Sequence, residues 1–155
     1  MISKVAEEMI GERQEKFLIP AEIVANVQES NRLDHAFLVL TKARYAKIPV
    51  LDSEQKFKGL LSLAMITDTM LGLNGIDPSN LHQLTVADVM QTDVPKIQLP
   101  YDIEDILHLS VNNPFLVVTT QEGVFTGIVT RREILKGVNH MVHELDKRYE
   151  ITLKN

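Results

Sequence analysis

The chain has 155 residues, of which 45% are hydrophobic and 24% charged, with a formal net charge of -5; that suits one compact domain or two small half-domains sharing a core. No apolar run approaches the roughly 18 residues of a membrane span, and the charged N-terminal stretch lacks the apolar core of a secretory signal. Cysteine is absent, so disulfides, thiolate metal sites and cysteine nucleophiles are excluded, and a cytoplasmic location is expected.

In chain order, residues 1–16 carry helical periodicity and are expected to form an extension that packs on the rest. A first repeat is assigned to residues 17–71. Within it Val27 marks a strand, and Leu33, Ala36, Phe37 and Leu40, spaced i, i+3, i+4, i+7, mark an amphipathic helix. Ile48–Asp52 and Phe57–Ser62, on either side of a polar turn, read as a hairpin. Helical spacing then returns at Leu63, Ile66 and Met70. Gly72–His82, with two glycines and Pro78, reads as a linker, assigned to residues 72–84. A second repeat follows over 85–143, with Ile97, then a helical stripe Ile103, Ile106, Leu107 and Ser110. Leu116–Thr120 and Phe125–Thr130 form its hairpin, and Ile134, Leu135 and Val138 its last helix. Helical spacing over 139–150 runs into a tail assigned to 144–155.

The two halves carry one pattern twice. Gly59 and Ser62 recur as Gly127 and Thr130, an offset of 68, whereas Leu33 and Ala36 recur as Ile103 and Ile106, an offset of 70. The first copy therefore has two extra residues between helix and strand, within Thr41–Lys47. A unit of strand, helix, strand, strand, helix cannot bury both faces of its small sheet. Pairing two copies about a pseudo-twofold axis supplies the missing surface. The fold class is α/β (α+β).

Thr130-Arg131-Arg132-Glu133 stands where the last helix begins. Thr-x-x-Glu is the sequence of a capping box, in which Thr130 takes the amide of Glu133 and Glu133 reaches back to the amide of Thr130. Arg131 and Arg132 oppose the positive end of the helix dipole, so folding asks for neither, whereas an anion bound there would be met by amides and two guanidiniums. The first copy has Ser62-Leu63-Ala64-Met65 instead, which keeps the cap and loses every charge; one competent site per chain is expected. Arg44, Tyr45 and Lys47 lie in the irregular segment before a strand and are candidates to complete the site, Tyr45 through its ring or hydroxyl.

No catalytic group stands out. His140 and His143 share a helix face without a third ligand nearby, so no metal site is expected. Asp102, Glu104 and Asp105 suit a helix start, and neither a phosphate loop nor a nucleophile elbow occurs. With no basic face, a nucleic-acid partner is not expected either.

The repeat resembles the tandem CBS-domain (Bateman module) proteins. Val86-Ala-Asp-Val-Met90 opens the second copy, and Gly127-Ile-Val-Thr-Arg-Arg-Glu-Ile-Leu135 is similar to the family's strand–helix signature. His35–Lys42, Tyr45, Ile48-Pro-Val-Leu-Asp52 and Gly127–Arg132 further resemble the small stand-alone CBS proteins of Firmicutes that bind cyclic di-AMP. The resemblance implies a regulatory, non-enzymatic homodimer whose ligand meets Tyr45, the backbone around Ala25 and Thr130; Ile48, Pro49 and Glu133 join Arg131 and Arg132 as candidate ligand-binding residues. It implies no cofactor, and a partner enzyme such as the guanosine tetraphosphate synthetase/hydrolase. In relatives that bind AMP, ADP or ATP, an Asp at the position of Glu133 holds ribose. Two departures stand out: Ile23 where relatives have lysine, and Asn26 where they have histidine. Lys47, apolar in relatives, is the candidate replacement for the lost cation. The leading expectation is a cyclic di-AMP sensor; the rivals are a sensor of AMP, ADP or ATP and a ligand-free protein–protein adaptor.

Overall fold

The computed structural model describes residues 1–155. Helix α1 (Lys4–Gly11) starts where the Ser3 hydroxyl accepts the Ala6 amide at 3.1 Å, and a short turn leads into β1 (Leu18–Pro20). The first repeat then runs β2 (Val27–Gln28), α2 (Leu33–Ala43), β3 (Lys47–Leu51), β4 (Phe57–Ser62) and α3 (Leu63–Asp68). The linker is more ordered than its composition suggests. It holds a small hairpin of β5 (Leu71–Gly72) and β6 (Gly75–Ile76), followed by α4 (Asn80–Gln83). The second repeat runs β7 (Lys96–Ile97), α5 (Ile103–Asn112), β8 (Phe115–Thr119), β9 (Phe125–Thr130) and α6 (Arg131–Arg148).

The two extra residues of the first repeat are visible at the helix–strand corner. Helix α2 is one residue longer than α5, and Arg44–Ala46 replaces the shorter Asn113–Pro114. Arg44 takes a left-handed conformation, φ 58°, and its amide caps Leu40 at 3.1 Å. At the other end of the chain, the helical spacing expected separately after Thr130 and over 139–150 belongs to one 18-residue helix. Its counterpart α3 stops after 6 residues, just before Gly72 and Gly75 turn the chain back on itself.

Both faces of each hairpin are buried. Ile48, Val50 and Leu61 face α2 and α3 with Leu33, Ala36, Leu40 and Ile66. Leu116, Val118 and Val129 pack with Ile103, Ile106 and Ile134 in the same way, and α1 adds Ile10 to this side. The opposite faces meet at a seam of Leu51, Phe57, Leu60, Val117 and Phe125. The Phe57 and Phe125 rings lie 6.4 Å apart there. Reciprocal hydrogen bonds lock the hairpin tips across the seam: Phe57 N donates to the Gly123 carbonyl and Phe125 N to the Gln55 carbonyl, each at 2.9 Å. The chain is thus a pair of tandem repeats about a pseudo-twofold axis.

Each half also lends its leading segment to the other half's sheet. Strand β1, from the start of the first repeat, pairs antiparallel with β9 of the second, Leu18 opposite Val129 and Pro20 opposite Gly127. Gln91, from the start of the second repeat, exchanges two backbone hydrogen bonds with Leu60 on β4. Glycine makes room at both crossings. A Cβ on Gly59 would come 2.5 Å from the Gln91 carbonyl oxygen, and a Cβ on Gly127 would drive into that of Ile19. Gly127 also has φ +154°, a conformation that residues with a side chain rarely adopt.

Replacement of Gly127 by alanine should therefore cost roughly 3 kcal/mol or more, combining backbone strain with overpacking, read as a lowered midpoint of chemical denaturation. A second expectation concerns α1. The Glu12 carboxylate accepts from Arg148 Nη1 at 2.5 Å and lies 3.2 Å from His140 Nε2. The Arg148 hydrogen bond, then that of His140, holds the Glu12 carboxyl below the ordinary glutamate range. A carboxyl lowered by folding stabilises the protein above its unfolded pKa of about 4.3, and this is lost as pH falls through the folded value. Glu12→Gln should accordingly melt slightly below the parent at pH 7, with the difference vanishing well below pH 4.

Candidate functional site

Where the seam reaches the surface beside the start of α6, it opens into a hollow of about 120 Å³. The first repeat contributes Val24 and Ala25 from the stretch before β2, then Tyr45, Lys47, Ile48 and Pro49 from the corner and start of β3. The second contributes Pro114, Phe115, Ile128 and Thr130, and the exchanged β1 contributes Ile19. Alternation puts Lys47 and Pro49 on the face of β3 that Leu51 turns to the seam, opposite Val50 in the helix-facing core. The walls are mainly apolar, with the Tyr45 ring 58% exposed at the rim and free to cover a ligand. The volume lies below the roughly 300–1,000 Å³ of drug-sized pockets; the hollow suits one flat ring, with anything larger extending over the rim.

The polar rim is the N-terminus of α6. Thr130 lines the hollow, and its hydroxyl accepts the Glu133 amide at 3.3 Å. The reciprocal half of the expected capping box is not made: the Glu133 carboxylate pairs with Lys136 at 2.7 Å, one turn on. Arg131 corrects a second expectation. Its Nε donates to the Ser110 carbonyl at 2.7 Å and its Nη2 to the Val111 carbonyl at 3.2 Å, both at the end of α5. A cation that opposes the dipole of its own helix thereby complements the C-terminal end of a neighbouring one, so folding does ask for Arg131. Arg132 is exposed and makes no ion pair. Arg131 and Arg132 border a shallower hollow with Leu135 and Lys136 rather than the apolar one.

The structure thus brings Ala25, Tyr45, Lys47, Ile48, Pro49 and Thr130 together in one place, with Arg131 and Arg132 following Thr130 along α6. Arg44 is exposed and lines neither hollow, its conformation serving the end of α2. Lys47 lines the hollow, and its Nζ donates to Gln91 Oε1 at 3.3 Å. His140 is engaged with Glu12, and no group of three or more acidic, histidine or cysteine side chains is placed to hold a metal ion. Phe115, Pro114 and Ile128 were not anticipated as lining residues. The repeat offset of 68 could have found Phe115, the counterpart of Lys47; Pro114 and Ile128 correspond to Ala46 and Leu60, which do not line the hollow, and no signal in the sequence marks them. Ile23 does lie at the hollow, 70% exposed, so an apolar side chain stands there in place of a cation.

The CBS domain family matches residues 86–140. The chain is 40% identical over 147 residues to the cyclic di-AMP receptor B of Bacillus subtilis, covering 95% of this chain and 100% of that protein. Among solved structures, the CbpB protein of Listeria monocytogenes in complex with cyclic di-AMP is 51% identical, with a TM-score of 0.79 over 84% of this chain and 98% of that one. CbpB from Streptococcus agalactiae, 29% identical, has a TM-score of 0.84 over 99% of this chain and 96% of that one. The chain belongs to this family of tandem CBS-domain proteins.

The two neighbouring arginines should separate in a thermal melt of the free protein. Arg131→Ala removes two charged donors from helix-end carbonyls and should cost about 1–2 kcal/mol, a fall of roughly 3–6 °C for a chain of this size. Arg132→Ala removes an exposed cation from a helix N-terminus and should leave the melting temperature level or slightly raised.

Proposed function

We propose that this member of the CBS family is a nucleotide-sensing regulatory protein that binds cyclic di-AMP in the cleft between its repeats and thereby controls a partner enzyme. The observation that carries the reading is the convergence of an apolar hollow from both repeats on the N-terminus of α6, where Thr130 is followed by two arginines. A flat apolar wall for a base beside amides and guanidiniums for a phosphate is the arrangement a nucleotide asks for. Relatives similar over most of the chain, named for cyclic di-AMP or solved with it, support that choice of ligand.

In this reading one adenine enters the hollow against Tyr45, Ile48, Pro49 and the backbone at Ala25, and the nearer phosphate meets Thr130, Arg131 and Arg132. Lys47 swings from Gln91 toward the second phosphate. Glu133, already paired with Lys136 at 2.7 Å, is a poor ribose holder, which weighs against a sensor of AMP, ADP or ATP. Two chains pair as a homodimer in the cytoplasm, and the module does no chemistry itself. Ligand binding shifts the population of surfaces offered to the partner, for which the guanosine tetraphosphate synthetase/hydrolase is the candidate.

Calorimetric titration with cyclic di-AMP and AMP tests the reading. Cyclic di-AMP should bind with one site per chain and more tightly than AMP. Arg132→Ala should weaken it by roughly 1.5–3 kcal/mol, about ten- to a hundredfold. Lys47→Ala should weaken cyclic di-AMP more than AMP, because only the former has a second phosphate to lose. Tighter binding of AMP would move the assignment to an adenylate sensor, and binding of neither would leave an adaptor.

A further inference from the structure

Helix α5 ends without a backbone cap. Its last four carbonyls, Leu109 to Asn112, have no partner one turn on, and Asn113 after it is extended, at φ -125° and ψ 122°. Side chains from outside the helix do that work. The Asn113 amide donates to the Leu109 carbonyl at 2.8 Å, while Arg131 takes the next two, Ser110 and Val111, at 2.7 and 3.2 Å. The backbone of Arg131 is tied to the same corner, its amide donating to the Pro114 carbonyl at 2.9 Å. Pro114 and Phe115 of this corner form one wall of the apolar hollow, and Arg131 directly follows Thr130 on its rim. One guanidinium therefore stands between the candidate ligand site and the end of a helix whose outer surface shows Val111, 71% exposed.

We infer that Arg131 exchanges partners on ligand binding, leaving the α5 carbonyls for a phosphate and so loosening the last turn of α5 as the signal of occupancy. This rests on the cyclic di-AMP reading above and adds its means of transmission. Neutral carbonyls are weaker partners for a guanidinium than a phosphate oxygen, which accepts a charge-assisted and often bidentate pair. The exchange requires only a side-chain rotation, since the Arg131 backbone already lies at the first residue of α6, directly after Thr130 on the rim of the apolar hollow. Once released, the Ser110 and Val111 carbonyls have no other side-chain donor, and the turn that carries Val111 frays. Leu135, 56% exposed, borders the hollow that Arg131 shares with Arg132. The surface that changes thus comprises Val111, Leu135 and the vacated carbonyls.

Amide hydrogen–deuterium exchange on the full chain, with and without saturating cyclic di-AMP, tests this. Saturation should speed exchange over residues 109–113 by roughly three- to tenfold, the factor one or two net hydrogen bonds are worth, while the strands lining the hollow slow. Arg131→Ala should show the faster rate without ligand and no further rise with it. Arg131→Lys, which keeps the charge but cannot fork onto both carbonyls, should lie between. If calorimetry shows saturation and residues 109–113 exchange unchanged or more slowly, the partner exchange is wrong and the cyclic di-AMP reading stands. If cyclic di-AMP does not bind, both fall.

Discussion

The reciprocal burial of two hairpins against each other is the constraint on which everything else in this molecule rests. Each repeat makes a sheet with two apolar faces and has helices for only one of them. Leu51, Phe57 and Leu60 on one side, and Val117 and Phe125 on the other, would be left in water if the halves parted. The exchanged segments tighten the demand, because β1 completes a sheet of the other repeat and Gln91 bridges back in return. Gly127 and Gly59 are points where this geometry admits no side chain, since the backbone of β1 and of Gln91 occupies the space a Cβ would need. The seam is consequently fixed in register, and with it every residue along its edges.

That register makes the site. The hollow at the end of the pseudo-symmetric seam draws residues from both copies, and corresponding positions of the two copies differ in chemistry. Lys47 faces the hollow from one copy and Phe115 from the other; Thr130 leads into arginines where Ser62 leads into leucine and alanine. Duplication supplies the scaffold and divergence supplies the polarity, so two halves of one pattern end in different chemistry. The helix extensions follow the same division. Helix α6 continues past the point where α3 stops, and its far end holds α1 through Arg148, His140 and Glu12, enlarging the core of the half that carries the arginines.

Arg131 shows how stability and proposed function come to share one side chain. Its charge is unfavourable for its own helix and favourable for the end of its neighbour, where it meets the carbonyls of Ser110 and Val111 in the last turn of α5. A group held by neutral acceptors next to a candidate anion site is poised to change hands, whereas Arg132, with no such tie, is available to a ligand from the start. Two adjacent arginines that look equivalent in sequence are thus physically distinct.

The repeat and its elements were legible in the sequence because they depend on periodicity. Helical spacing at Leu33–Leu40 and Ile103–Ser110, short β-branched runs around polar turns, and two constant offsets are local or self-referential properties, and they survive without knowledge of contacts. The residue types at the candidate site could be named for the same reason, since caps and dipoles act over a single turn. The partner of Arg131 could not be read, because Ser110 and Val111 lie 21 and 20 residues away in sequence and meet it only through the packing of α5 against β8. The pairing of β1 with β9 joins residues as far apart as Leu18 and Val129, and Glu133 turned to Lys136 instead of its own cap. Local propensity set which elements exist and where they start. Which surfaces those elements share, and therefore which charges are spent on the fold and which face a ligand, was decided only when the two halves closed on each other, because burial is a property of the closed pair and of neither half alone.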